Sequence, residues 1–431
     1  MRCVPAAAFA CLLAACAPSL YWTAMSPDHR LAAAARRVHG RTCLFVTGAL
    51  PQCHEGIALD ALVFSDSGSH VAYPARVGGR WTVIRDGRPG ATWDGVAAPV
   101  FSRDGSRLAY AAQDSGAWRL VVNDSAGERF DSLFTGSITF DPRGGRLGYV
   151  AERGDSALAV VDGVSGPAWA GLARLTFSAD GAHVGYLART DLGATLVVDG
   201  RAGEPHERIA TFALAPAGGR SAFVATDAGL VSVVEEGHLV GPYDSVRSLV
   251  YAPAGTLLWI AREDGRERMV ADGVGGTPFD SVGAPAFAAR GSRWGYLGRD
   301  STGTAVVLDG AVLAREESAT DLALSDDGAR YAYIARRGGR AALVDDLGAH
   351  PFDLLVAGTL VFLEDGHWAC LAGERRERDL FVVVEGRSER LPFNWSENAR
   401  LARRDPSGAA LREWVRAEAV RLRASRDPGT P

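Results

Sequence analysis

Short apolar runs alternate with polar residues along most of this chain, and Asp-Gly or Gly-Gly pairs punctuate them. The stretch Phe101-Ser-Arg-Asp-Gly-Ser-Arg-Leu-Ala-Tyr110 shows the pattern in full. Altered copies start at Phe64, Phe101, Phe140, Phe177, Leu214, Tyr251, Phe287, Leu324 and Phe362, at intervals of 37, 39, 37, 37, 37, 36, 37 and 38 residues. A fixed period of this size marks a repeat architecture. The Asp-Gly pair supplies positive φ at a tight reversal, so each copy predicts a hairpin. After the turn an aromatic recurs at Tyr73, Tyr110, Tyr149, Tyr186, Phe223, Trp259, Tyr296 and Tyr333, with Cys370 in its place in the last copy. The residue before it is Ala or Gly in every copy but one, where it is Leu258. Neighbours in a strand point to opposite faces. One face is therefore large and the other small, and stacked sheets fit the aromatic of one against the small residue of another.

A β-branched run follows each hairpin, as in Val160-Val161-Asp162-Gly163 and Val197-Val198-Asp199-Gly200. It predicts a third strand and a turn. Segments such as Phe130-Asp-Ser-Leu133, Tyr243-Asp-Ser-Val246, Phe279-Asp-Ser-Val282 and Phe352-Asp-Leu-Leu355 are read as the fourth. Four strands per repeat is the recipe of a propeller blade. The expected fold is all-β: a single β-propeller of about nine four-stranded blades over residues 41–393, with a short C-terminal α-helix. The count becomes eight if an end repeat peels off, and ten if the half-repeat at 41–60 builds its own blade. Under the nine-blade count an N-terminal strand is expected to complete the last blade, because pairing chain ends removes an edge.

The Phe-Ser-x-Asp-Gly-x-Arg-x-Ala-Tyr pattern resembles the WD40-like PD40 repeat, the unit of TolB-type β-propellers. TolB-like proteins place an α/β domain before six blades, and this chain has more repeats and no room for that domain. The resemblance implies the fold and an envelope location, not a partner.

The ends are different. Residues 1–16 combine Arg2, a short apolar run from Val4 to Leu13, and Leu13-Ala14-Ala15-Cys16, which resembles the bacterial lipobox. The resemblance implies that Cys16 is lipidated and becomes the first residue of a mature envelope lipoprotein, at the outer membrane in a Gram-negative cell. An ordinary secretory signal is the alternative. Residues 17–40 are read as a tether containing one helical stretch, Leu31–Val38. Cys43 and Cys53 lie ten apart around Thr47-Gly48, and an oxidising compartment permits a disulfide there. Residues 394–431 leave the repeat pattern. They contain the formal sequon Asn394-Trp-Ser396 and a helical stripe of Leu411, Trp414, Val415 and Leu422, which either caps the propeller or docks a partner.

Composition narrows the function. The formal net charge of −5 gives no nucleic-acid signature, and all 46 basic residues are Arg. No phosphate-binding Gly-Lys-Ser/Thr loop, Gly-x-Ser-x-Gly elbow or His/Cys metal spacing occurs, so no catalytic, cofactor or metal residues are assigned and no cofactor is expected. A recurrent cation lies three residues before the aromatic position in eight of the nine copies: His70, Arg107, Arg146, His183, Arg220, Arg293, Arg330 or His367. These read as a solvated strand entrance, or else as a ring lining a channel. The recurrent acids Asp94, Asp131, Asp244, Asp280 and Asp353 read as structural, because a catalytic pair would depart from the repeat. The expected function is a lipid-anchored envelope module that binds or scaffolds a protein partner. An enzyme or ligand binder at the channel mouth, acting on envelope glycans or peptides, is the alternative.

Overall fold

A computed structural model describes residues 22–26, 31–373, 380–385, 387–389 and 409–424. Cys16, the sequon at Asn394 and the segment Leu391–Phe393 lie outside the described residues. The chain divides between Ile209 and Ala210 into two compact units. Each is a series of antiparallel sheets whose strands run in sequence order, and ten such sheets occur among the described residues. These sheets are the blades, numbered one to ten in chain order.

The third blade shows the plan. Gly95–Phe101 pairs with Leu108–Asp114, which pairs with Ala117–Val122, which pairs with Ser125–Ala126. The fourth strand is thus the segment immediately after the third-strand turn. The Phe-Asp-Ser segments are instead corners: Phe130 closes the fourth strand through a bridge to Trp118, and Ser132 opens the next blade. The first strands of the third, fourth, fifth, seventh and ninth blades carry a bulge.

Ten is the count in which the half-repeat builds its own blade. Trp22–Met25, Ala32–Val38, Arg41–Val46 and Gln52–His54 form one sheet. The last blade contains its own four strands ending at Arg387–Glu389, so the expected N-terminal completing strand is not used there. The stretch read as helical is a strand. Alanine is the strongest helix former, but propensity is a weak constraint that packing overrides: Ala33 and Ala35 are buried against Tyr73 of the second blade. Hydrogen bonds show this first blade to be a further, unrecognised copy of the repeat. The Leu31 N–H donates to Ser26 Oγ at 2.9 Å, as the Arg107 N–H does to Ser102 Oγ at 2.9 Å. The Ala32 N–H donates to Thr47 Oγ1 at 3.1 Å, as the Leu108 N–H does to Asn123 Oδ1 at 2.9 Å. By that alignment Ala34 stands where other blades have the aromatic. Cys43 and Cys53 are directly opposed on neighbouring strands of this blade and are joined in a disulfide, with Cα atoms 4.0 Å apart.

The blades bury their faces on one another. Ala109, Ala111 and Leu120 of the third blade pack against Leu147 and Tyr149 of the fourth. Ala72 of the second meets Tyr110 of the third, and Ala222 of the sixth meets Trp259 of the seventh. Cys370 takes the aromatic's place in the tenth, fully buried, with its thiol pushed up to about 12 by burial.

In the second unit, helix α1 (Ala409–Ala424) ends the series. Val361, Leu363, Ala369, Leu371 and Val382 form the face of the tenth blade turned away from the ninth, and Leu411, Trp414, Val415 and Ala419 cover it. The helix thus stands where a following blade would stand and packs in cis. Terminal caps of this kind close repeat arrays that would otherwise expose a core-type face. Val415→Asp, at a fully buried position, should lower the melting temperature and raise binding of a hydrophobic dye, with a loss of about 3 kcal/mol or more. A thermal melt and a dye titration on the intact chain check this.

Candidate functional site

The recurrent arginines are inter-blade struts, partly exposed but neither free in solvent nor a bare cationic ring. Arg107 Nη1 donates to the carbonyls of Gly144 and Gly145 in the next blade at 3.2 and 2.7 Å, and its guanidinium lies 5.0 Å from the Phe140 ring centre. Arg146 repeats this on Gly181, Ala182 and Phe177. In the second unit Arg220 reaches Gly255, Arg293 reaches Gly328, and Arg330 reaches Gly366. Most struts are also held within their own blade, as Arg146 Nε is to Asp162 at 2.9 Å and Arg293 Nε to Asp309 at 3.1 Å, and His70 Nδ1 makes the same bond to Asp86 at 2.7 Å. The planar fork of Arg suits this mixture of stacking and multiple donation.

The Asp-Gly turns are fixed locally. The Ser102 hydroxyl donates to Asp104 Oδ1 at 2.5 Å and accepts the Arg107 N–H. Ser178 and Ser325 do the same. The Ser102 bond, with those from Ser106, holds the Asp104 carboxyl at about 2.

The recurrent acids on the opposite edge are structural where their partners are seen. Asp94 accepts the Ser115 N–H at 2.8 Å, Asp131 accepts the Gly154 N–H at 2.7 Å, and Asp280 lies 3.8 Å from Arg266.

A second aromatic series ends the fourth strands: Trp93, Phe130, Trp169, Tyr243, Phe279 and Phe352; Phe130, Tyr243, Phe279 and Phe352 open the segments read from the sequence as fourth strands, and Trp93 and Trp169 join them in the structure. Each packs on the aromatic position of the next blade's second strand; Phe130 and Tyr149 meet edge-to-face at 6.1 Å, Phe279 and Tyr296 at 6.4 Å. His54 holds this place against Tyr73. Its signal was an aromatic 16 to 18 residues before the Tyr in most copies (Trp93 to Tyr110, 17; Tyr243 to Trp259, 16; Phe352 to Cys370, 18). Glu316 departs from the series. It is buried, receives Arg337 Nε and Nη2 at 2.7 and 2.5 Å, and receives the Tyr333 hydroxyl at 3.0 Å.

A second polar departure joins the ninth and tenth blades. Asp345 is buried and accepts the Trp368 indole N–H at 2.8 Å and the Leu347 and Gly348 N–H groups, with His350 Nε2 at 3.2 Å. Burial pushes its carboxyl up, but the Trp368 and backbone bonds outweigh that and hold it low. This carboxylate is spent on holding two blades together. Among the described residues no group of three His, Cys, Asp or Glu side chains could hold a metal ion.

Two clefts open between blades of the first unit. One of about 380 Å³ lies between the first and second blades, beside Tyr73 and Thr47. The other, about 430 Å³, lies between the second and third, bordered by Arg85, Arg88, Gly90, Tyr110, Asn123 and Asp124. The second is the better-formed candidate site, because its residues depart from the repeat.

Glu316→Gln carries a test of the buried pair. The Arg337 bond, ahead of opposing burial, holds Glu316 below the ordinary carboxylate range, so the folded state favours the ionised form. Its stabilisation is complete above the ordinary glutamate value of about 4.3 and is lost as pH falls through the lowered value. The variant should lose about 2 kcal/mol at neutral pH. The gap from wild type should close as the solution is acidified below about pH 4. Thermal melts across that range measure both. Arg107→Ala should cost about 1–2 kcal/mol through its carbonyl bonds and Phe140 stacking, and Arg107→Lys should restore only part of it.

No protein-family model matches this chain, and no curated protein does. Solved structures match in part. TolB from Acinetobacter baumannii is 15% identical with a TM-score of 0.26, over 48% of this chain and 62% of that one. The β-propeller domain of Cps50 (Swd1) from Myceliophteria thermophila is 12% identical with a TM-score of 0.27, over 55% of this chain and 92% of that one. The β-propeller domain of the Trilobed protease from Pyrococcus furiosus is 11% identical with a TM-score of 0.23, over 76% and 96%. The matched part thus spans less than two thirds of the TolB chain. These proteins are similar to this chain in fold alone, and the strand pairing of the chain itself makes it a series of blades.

Proposed function

We propose that this chain is a lipid-anchored cell-envelope β-propeller that serves as a rigid docking scaffold for a protein partner. One observation carries the docking part. In the second unit, the outermost strands and their turns expose large aliphatic side chains blade after blade: Leu239, Val274, Val312 with Leu313, and Leu347. Val274 is 73% exposed and Leu239 60%. Each of these fourth strands is the last in its sheet order, so its outer main-chain groups form a free edge. A free edge beside aliphatic side chains suits an extended segment of another protein, which gains main-chain bonds from the edge and burial from the side chains. The strut-and-turn network behind it keeps that edge in place, which lowers the ordering cost of binding.

The membrane part rests on Leu13-Ala14-Ala15-Cys16, whose small residues and thiol suit lipid attachment. Among the described residues no helix is long and apolar enough to cross a membrane.

In the native cell, Cys16→Ala should move the protein from the membrane fraction to the soluble one. Retention in the membrane would remove the anchor from the reading. Combining Leu239→Glu, Val274→Glu and Val312→Glu should leave the melting temperature within a few degrees and abolish crosslinking to the partner that the wild type captures. Crosslinking unchanged by the triple variant would move docking away from these edges.

A further inference from the structure

The cleft between the second and third blades differs from its counterparts at one position. Third-strand turns need positive φ at two successive residues. Six blades meet this with an Asp or Glu followed by glycine, Asp86-Gly87, Asp162-Gly163, Asp199-Gly200, Glu236-Gly237, Asp272-Gly273 and Asp309-Gly310, and the first blade has Gly48 in the left-handed region after Thr47. The third blade uses Asn123 at φ 45° and Asp124 at φ 66°. A residue with a side chain thus sits in the left-handed region where those seven blades have glycine. Departures of this sort gather at functional sites.

What the departure places in the cleft is a carboxylate facing a buried hydroxyl. Gly90, in the fourth strand of the second blade, has no side chain, and the space its Cβ would fill is bordered by Asp124 Oδ1 at 2.7 Å and by the Tyr110 hydroxyl at 3.5 Å. Two other interfaces keep the glycine and the tyrosine but not the acid. Gly166 faces the Tyr186 hydroxyl at 3.7 Å, and Gly276 faces the Tyr296 hydroxyl at 3.2 Å, with no carboxylate at either. Tyr110 is 2% exposed, and its buried hydroxyl lies beside the Trp93 indole without a hydrogen bond of good geometry. Arg88 stands exposed at the mouth. Arg85, by contrast, is committed to the Gly105 carbonyl at 2.9 Å and to the Phe101 ring. Asn123 uses its carbonyl oxygen on Leu108 N–H.

We infer that this cleft binds a neutral polyhydroxylated small molecule of about one or two sugar rings. The volume of about 430 Å³ lies within the range of small-molecule sites. The uncommitted groups are a carboxylate that only accepts, a guanidinium that only donates, and a phenol that does both. They sum to no net charge. A hydroxyl both donates and accepts, so adjacent hydroxyls of a sugar satisfy Asp124, Arg88 and Tyr110 together. An anion would set its charge against Asp124, and Val83, Pro89 and Leu108 supply the apolar wall that a pyranose face covers. This inference is independent of the docking proposal, since it uses neither the outer strands nor the anchor.

The test is calorimetric titration of the intact chain with glucose, N-acetylglucosamine and maltose, and in parallel with glycine and inorganic phosphate. The wild type should bind at least one of the sugars and neither of the last two. Asp124→Gly restores the residue used by the other blades, so it should melt at the same or a higher temperature while losing sugar affinity at least tenfold. Gly90→Ala, where φ lies outside the left-handed region, fills the floor and should lose binding as well. Binding of glycine or phosphate in place of sugar would overturn the ligand class. Sugar affinity unchanged in both variants would overturn the location, and no heat with any of the sugars would overturn the proposal as a whole.

Discussion

No blade of this protein buries its own hydrophobic face. A four-stranded sheet of about this size has two faces, and each can leave water only by meeting a neighbour. The pairing is asymmetric. A blade offers small residues, such as Ala109 and Ala111, to one neighbour, and receives the small residues of the other on its aromatic. Gly148 shows how tight the fit becomes: a Cβ there would lie 2.7 Å from Leu175 of the next blade. Most other recurrent features serve this one interface. The fourth-strand aromatics thicken it, and the Arg struts pin its rim by joining the cation of one blade to the turn carbonyls of the next.

The two ends of the series show the same constraint from outside. The face of the tenth blade turned away from the ninth is covered by α1, with Val415 and Ala419 fully buried. The first blade has Ala34 in the aromatic position, and a disulfide ties its third and fourth strands. A small-molecule site is then expected where the repeat is broken rather than where it is kept. Glu316 and Asp345 break it but are saturated by Arg337, Tyr333, Trp368 and backbone N–H groups. Asp124 breaks it and leaves its carboxylate beside a buried hydroxyl.

The period, the hairpins and the alternation of aromatic with small residue were legible because each depends on local chemistry: positive φ at Asp-Gly, and opposite faces for neighbouring residues in a strand. Only the second half of the first blade was legible, as the half-repeat at 41–60. In sequence His29 stands where the other copies have glycine, and the strand Ala32–Val38 is an alanine run whose local preference is helical. Only burial against Tyr73 and the Ser26 and Thr47 hydrogen bonds make it a blade. The fourth strand was misplaced for a related reason. The Phe-Asp-Ser corners are more vivid in sequence than the short outer strands, although the strands follow directly on the turns.

From spacing along one chain it followed that this is a repeat of antiparallel hairpins and which residues of each hairpin face inward. The tertiary structure alone decided what the recurrent charges do. Arg107 and Gly145 are 38 residues apart, and a carbonyl has no identity in a sequence. Whether a cation is solvated, lines a channel or bridges two blades depends on how one sheet is set against the next, which is fixed by packing across the interface and not by the order of residues within either blade.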